Sequence, residues 1–307
     1  MKPNLAIPLE ALHHRRGVMP MLQIFRKLII EYLNPVSSFV FLINLVRNRW
    51  LLAQLTRQDF KQRFATSVLG GTWAFIQPIM TMIVLWFVLE YGFQAGSMLG
   101  TDIPYILWFM TGILPWFLFA DAFTTASNSI LEKSYLVKKV VFQVSILPLV
   151  KILTAYVVHL VSLVFLFLIF RLYQYTPGIH AIQIFYYMFA MLVFLVGLTW
   201  ISSSVSIFAG DVSHLLNILI QIGFWATPIM WNLDTMFEGN NDRLLKHMFE
   251  LNPVYYIVKG YRNSLINDTW FWEHLTSTLF FWGLSLVTLA LGTILFKRLR
   301  PHFADLL

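Results

Sequence analysis

RQDFKQRFATSVLGGTWAFIQPIM, Arg57–Met80, sets three cations within two helical turns against a glycine pair, a tryptophan and a long apolar run. Arg57 and Lys61 lie four apart and share one face of a helix, while Phe60 and Phe64 share another. A short helix with a basic face and an aromatic face settles at a membrane surface. Gly70 and Gly71 then allow the chain to turn sharply. Trp73 falls where an apolar segment would pass the headgroups, the depth indole rings prefer. Upstream, Phe39–Leu45 is apolar but is cut short by Arg47 and Arg49. At ~1.5 Å per residue it cannot cross a ~30 Å hydrocarbon core. The region 39–66 therefore reads as one or two surface helices, preceded by a mixed stretch with an amphipathic piece at Met21–Leu33.

The rest of the composition agrees. Of 307 residues 58% are hydrophobic and only 12% charged, with mean hydropathy +0.68. Soluble domains carry roughly 25% charged residues. No soluble fold hides this much apolar surface, so the class is an all-α polytopic membrane protein. The absence of cysteine excludes a disulfide framework and a thiolate metal site. The opening MKPNLAIPLEALHHRRG lacks the uninterrupted apolar core of a cleavable signal.

Six spans are expected. They are Thr72–Tyr91, Tyr105–Thr125 interrupted by Pro115, Val144–Phe170 with Lys151 inside it, Ile182–Ala209, Val212–Trp231 with Pro228 near its end, and Leu275–Phe296. An even number puts both termini on one side. That side would carry sixteen Lys and Arg (ten before Gly71, three in 126–143, three in the tail) against five in the opposite loops. The bias places both termini in the cytoplasm. The net charge of +7 is then a topology signal and a contact with anionic headgroups, not a nucleic-acid footprint. Three regions follow: residues 1–71 as a cytoplasmic N-terminal region, 72–296 as a membrane domain and 297–307 as a cytoplasmic tail.

The longest outer connection, 232–274, starts polar and becomes semi-apolar in LNPVYYIVKGYRNSLI, Leu251–Ile266. Asn252 suits a helix cap and Pro253 a first helical turn. Such a segment is too short to span. It either re-enters the membrane, where irregular backbone must be buried in protein or line a cavity, or lies as a flap on the outer leaflet. Aromatic side chains crowd both outer regions. Tyr91, Tyr105, Trp108 and Trp116 flank the first, and Tyr255, Tyr256 and Tyr261 lie in the second. Most are read as an interfacial belt. Their faces could also stack on the C–H faces of sugars along a path.

Chemistry-bearing motifs are missing. No HExxH, CxxC, GxSxG or P-loop pattern occurs, so this chain does not bind ATP in the usual way. Asp121 and Glu90 sit near span ends and Asp211 in a short turn. Only His159 falls in mid-span, where a lone histidine reads as a satisfied packing residue.

Taken in order, these residues resemble the permease subunits of ABC-2 type exporters, closest to the branch that exports O-antigen, capsule and teichoic acid. The resemblance starts with Arg57, Phe60, Lys61, Arg63, Phe64, Ser67, Leu69, Gly70, Trp73 and Pro78. It continues with Asn128, Ile130, Leu131, Lys138–Phe142 and Leu147–Pro148, then Thr227–Ile229, then Leu251–Pro253 with Tyr261, Arg262 and Asn263. It covers roughly 45–300. Gln143 stands where many members have proline, and Gly210 where they often have arginine.

The resemblance implies a homodimer in the bacterial inner membrane. A separate dimeric ATPase would hold ATP and Mg, and this chain would need no cofactor. The cargo would be a lipid-linked polysaccharide, O-antigen foremost. Glu132, Lys133, Tyr135, Lys138 and Lys139 would meet the ATPase. Arg57, Lys61 and Arg63 with Gly70 and Gly71 would form a gate and hinge, where Lys61 and Arg63 could meet a lipid pyrophosphate. Lipid anchoring is the other reading of the same cations. The aromatic residues named above would line the sugar path. Two alternatives stand beside this one. A membrane enzyme acting on lipid-linked sugars would have to use Asp121, His159 or Asp211. A small-lipid or drug exporter of the same fold would show a closed central pocket instead of a continuous path.

Overall fold

The computed structural model describes residues 49–63, 65, 67–95, 103–137, 143–237 and 243–307. Every regular element among them is helical. Helix α1 (Arg49–Arg63) leads through a 3-10 turn, Gly70–Thr72, into α2 (Trp73–Phe87), which ends in a π-turn, Val88–Gly92. Then come α3 (Tyr105–Glu132), α4 (Ser134–Val137), α5 (Ile146–Leu172), α6 (Gln183–Ser206), α7 (Val212–Ala226) and α8 (Leu233–Met236). The chain closes with α9 (Arg243–Glu250), α10 (Pro253–Leu265), α11 (Leu275–Leu299) and α12 (Phe303–Leu306). The expected amphipathic piece at Met21–Leu33, Phe64, Lys138 and Lys139 lie outside the described residues.

The two glycines that join α1 to α2 do different work. Gly70 has φ +54°, the left-handed region where a side chain is strained. Gly71 needs space instead, since a Cβ there would stand 3.1 Å from the Phe60 ring.

Helix α3 is the shaft of the bundle, buried over most of its length and packed chiefly on α5, then on α6 and α10. The expected interruption at Pro115 is absent, and the helix runs through it. Proline removes one backbone bond, which a helix enclosed by neighbours can absorb. Ile113, Leu114 and Trp116 are all buried around it.

Helix α6 crosses α11 at very short range. A Cβ on Gly197 would come within 2.7 Å of backbone atoms of Thr288 and Leu289, and one on Gly292 would collide with the Gly197 carbonyl. Small residues at a crossing let backbones touch, which gains van der Waals contact where lipid gives no hydrophobic drive.

Among the described residues, five helical segments are long and apolar enough to cross a membrane: Gly70–Gly92, Tyr105–Glu132, Ile146–Leu172, Ile179–Ser206 and Phe271–His302. The fifth expected span, Val212–Trp231, departs from expectation. Its helix stops at Ala226 because Thr227, the residue before Pro228, is extended. Fifteen helical residues reach about 22 Å, short of a ~30 Å core. The chain continues from there in a non-helical stretch to Asn232.

Candidate functional site: a polar joint and a braced helix end

One face of α1 carries Leu52, Thr56 and Asp59 at four- and three-residue spacing, and these are its only buried residues. Thr56 spends its hydroxyl on the Leu52 carbonyl of α1 itself, and the polar links from α1 to the bundle come from Asp59, Gln62 and Arg63. Arg57 and Lys61 point away and are exposed, as headgroup contacts require.

The centre of this joint is Lys151, one turn into α5. Its Nζ lies 3.0 Å from Asp59 Oδ1 and 2.8 Å from Glu132 Oε2. Thr154 donates to Asp59 Oδ2 at 3.1 Å. One ammonium thus ties α1, the end of α3 and α5 together. Lys133 Nζ donates to Gln62 Oε1 at 2.7 Å. Arg63, at the end of α1, clamps both oxygens of Asp121 on α3, at 2.9 and 2.7 Å. That side-chain hydrogen bond to Asp121 outweighs desolvation and raises the Arg63 pKa above its ordinary value. A cavity of about 370 Å³ opens among Asp59, Arg63, Glu132, Lys133, Lys151 and Thr154. A second, about 260 Å³, runs from Arg63 and Asp121 inward between α2, α3 and α5 to His159 and Ser162. His159 is buried with its Nε2 2.9 Å from the Tyr261 hydroxyl. It is a satisfied packing residue, as expected.

The opposite end of α3 is built differently. Helix α10 begins as the sequence suggests, with Asn252 Oδ1 accepting from Val254 N at 3.0 Å and Pro253 in the first turn. All of it except Pro253 and Lys259 is buried, so it is packed into the protein and is not a flap. From α10, Arg262 reaches the non-helical stretch after α7, donating to the Pro228 carbonyl at 2.9 Å and the Ile229 carbonyl at 2.6 Å. Its guanidinium carbon lies 3.4 Å from the Trp108 ring centroid. Gly112 makes room for it, because a Cβ there would stand 2.5 Å from Arg262 Nη2. Two more bonds brace the same stretch: Tyr105 donates to the Met230 carbonyl at 2.8 Å, and Asn252 Nδ2 to Thr227 Oγ1 at 2.9 Å.

The expected site residues therefore fall into separate groups. Glu132 and Lys133 join the α1 joint from the bundle side, and Tyr135 is exposed on α4 just beyond them. Arg63 belongs to the joint, whereas Arg57 and Lys61 do not. Of the aromatic residues, Tyr91 is 65% exposed. Tyr105, Trp108, Trp116, Tyr255, Tyr256 and Tyr261 are buried within the single chain. Tyr105 stacks on Trp108 and Phe109, Trp116 lies against Phe224, and Tyr256 stacks on Phe281. Sequence reasoning missed Asp59, Gln62, Asp121 and Thr154 as partners and left Lys151 without a role. The available signal was Lys151 itself, since a lysine inside an apolar span needs a carboxylate. Asp59 also shares a helix face with Thr56 and Arg63.

The family described as ABC-2 type transporter matches residues 51–266, from α1 through the end of α10. Two Klebsiella pneumoniae proteins, each named O-antigen export system permease protein RfbA, are 26% and 25% identical to this chain over 264 residues. Each alignment covers 84% of this chain and 95% of the relative. A Myxococcus xanthus protein of the same name is 26% identical over 273 residues, covering 86% of this chain and 99% of the relative.

Proposed function

The chain belongs to the ABC-2 type transporter family, and from that premise we propose that it is the membrane subunit of an ATP-driven exporter of a lipid-linked cell-surface polysaccharide, O-antigen foremost. It works as a homodimer in the bacterial inner membrane with both termini cytoplasmic. The short α7 and its non-helical continuation complete a sixth crossing. ATP and Mg are bound by a separate subunit, and this chain carries out no covalent step. The three relatives named as O-antigen export permeases, aligned over nearly their whole length, support the cargo.

The observation that carries the mechanism is the polar joint. An ATPase stroke at the cytoplasmic face must move α1 relative to α3 and α5 and then let it return. An apolar seam would resist this, because each separation exposes surface. The pairs with a half-exposed partner, Arg63–Asp121 and Lys151–Glu132, exchange one polar partner for water at little net cost. Tyr135, Lys138 and Lys139 continue the chain past Glu132 and Lys133, so a push on that segment reaches Lys151 and, through Asp59, α1. The Gly70 turn passes the motion to α2. Arg57 and Lys61 hold the outer side of α1 at the headgroups, where Lys61 meets the lipid pyrophosphate; Arg63, clamped on Asp121, serves the joint instead. The sugar path forms where two copies meet, with the exposed Tyr91 as the one expected aromatic residue free to border it; the other six are packed inside the chain and hold its outer half together.

The test is affinity purification of the tagged full chain from its native membrane. A stoichiometric partner bearing Walker motifs, lost in the Lys138→Glu/Lys139→Glu double variant, is the expected result. A chain that purifies alone and modifies a lipid-linked sugar in liposomes would replace this reading with the enzymatic one.

A further inference from the structure

The braced end of the bundle contains a cavity of about 200 Å³, lined by Ile103, Trp108, Asn232, Asp234, Tyr255, Lys259, Arg262 and Asn267. This is room for a small polar molecule rather than a single water. Its charges do not cancel. Asp234 is the only carboxylate among the described lining residues, and its Oδ1 is taken by Lys246 Nζ at 2.7 Å. No carboxylate pairs with Lys259 or Arg262 among the described residues. Among the described residues, Lys259 and Arg262 therefore stand at the cavity without a carboxylate partner.

Arg262 is the stronger of the two signals. It is 6% exposed, and its Nη1 and Nη2 are used by the Pro228 and Ile229 carbonyls. Its Nε is buried with no hydrogen-bond partner. The carbonyls that hold this guanidinium carry no full charge, so its positive charge stays unbalanced beside the cavity, where an anion would offset it. Lys259 is one of only two residues of α10 that are not buried, and it lies one turn before Arg262 on the cavity wall. Amide and hydroxyl groups of Asn232, Asn267 and Tyr255 complete the lining.

We infer that this cavity is an oxyanion-binding site, taking a phosphate or a carboxylate, with Lys259 as its hydrogen-bond donor and the Arg262 guanidinium as a second positive charge in its wall. The shared chemistry has two sources in a glycan exporter: a phosphate group, or the carboxylate of an acidic sugar.

The experiment uses the full chain in detergent and needs no ATPase or transport, so its outcome is separate from that of the export reading. Thermal unfolding and titration calorimetry are run with inorganic phosphate, glucuronate and glucose. Phosphate, glucuronate or both should raise the melting temperature and bind saturably, while glucose should do neither. Phosphate alone would point to a phosphate group as the source, and glucuronate alone to an acidic sugar. Lys259→Gln should weaken binding about tenfold or more, and Lys259→Arg should restore it. Lys259 is chosen because Arg262 also holds the Pro228–Ile229 carbonyls, and its loss would disturb the fold itself. The ligand-free melting temperature of Lys259→Gln checks that the chain is intact. No saturable anion binding, binding unchanged in Lys259→Gln, or equal binding of glucose would each overturn the inference.

Discussion

Replacing Lys151 by methionine removes the ammonium at the centre of the α1 joint while keeping most of the side-chain volume. The damage should be unequal across its partners. The Asp59 side chain is only 8% exposed and would keep a single hydrogen bond, from Thr154. Glu132 is 47% exposed and would turn to water. Breaking a fully buried pair costs about 3–5 kcal/mol. Lys151 is 16% exposed, so the joint is partly wet and the lower end, about 3 kcal/mol, is expected. Asp59→Asn leaves Lys151 bound to Glu132 and should cost about 1–2 kcal/mol. Glu132→Gln should cost less than about 1 kcal/mol, the range of exposed pairs. The double variant Asp59→Asn/Lys151→Met has no stranded charge and should recover most of the loss. Equilibrium unfolding in mixed micelles, followed by tryptophan fluorescence, measures all four. The reasoning fails if Glu132→Gln is as damaging as Lys151→Met, or if the double variant is no more stable than Lys151→Met alone.

Other expectations follow from single contacts. Gly197→Ala forces backbone atoms of α6 and α11 apart and should destabilise the chain by about 2 kcal/mol. Gly283→Ala on the same α11, where nothing lies within 4 Å, should stabilise it by up to about 1 kcal/mol through helix propensity; the same unfolding assay reads both. Gly70→Ala meets no atom but must hold φ +54°, so it should cost about 1–2 kcal/mol. Gly70→Asn should cost less, because asparagine tolerates that region, and a ranking of Asn below Ala in the assay would refute a backbone origin. Asn252→Ala removes both the α10 cap and the bond to Thr227 and should cost about 1–2 kcal/mol. Faster hydrogen exchange confined to α10 and residues 227–231 would confirm where that loss is felt.

What could be read from the chain was what depends on neighbours in sequence. Long apolar runs gave α2, α3, α5, α6 and α11, and Asn252–Pro253 gave the start of α10, because caps and spans are local. The glycine pair was legible as a turn, but the separate reasons for Gly70 and Gly71 were not, since one depends on φ and the other on the Phe60 ring. Pro115 and Pro228 carry the same local signal and end differently. The first is enclosed on α3 by packed neighbours; the second ends α7, where Arg262, Tyr105 and Asn252 take up the freed polar groups. Nothing nearby in sequence distinguishes those environments. The joint was missed for a similar reason. Asp59 and Lys151 are far apart in the chain, and a loop-by-loop count of Lys and Arg passes over both, the one because it is an acid and the other because it lies inside a span.

Where Gly197 meets Gly292 the backbones of α6 and α11 touch with no side chain between them, so no rotamer at that crossing can yield and the two helices act as one strut. Helix α1 rests on the bundle through a handful of ion pairs and amides that water can replace. The chain is therefore stiff on one flank and compliant on the other. If a partner pushes near Lys133, as proposed above, the work would be spent where compliance lies, tilting α1 and α2 against a frame that keeps its shape.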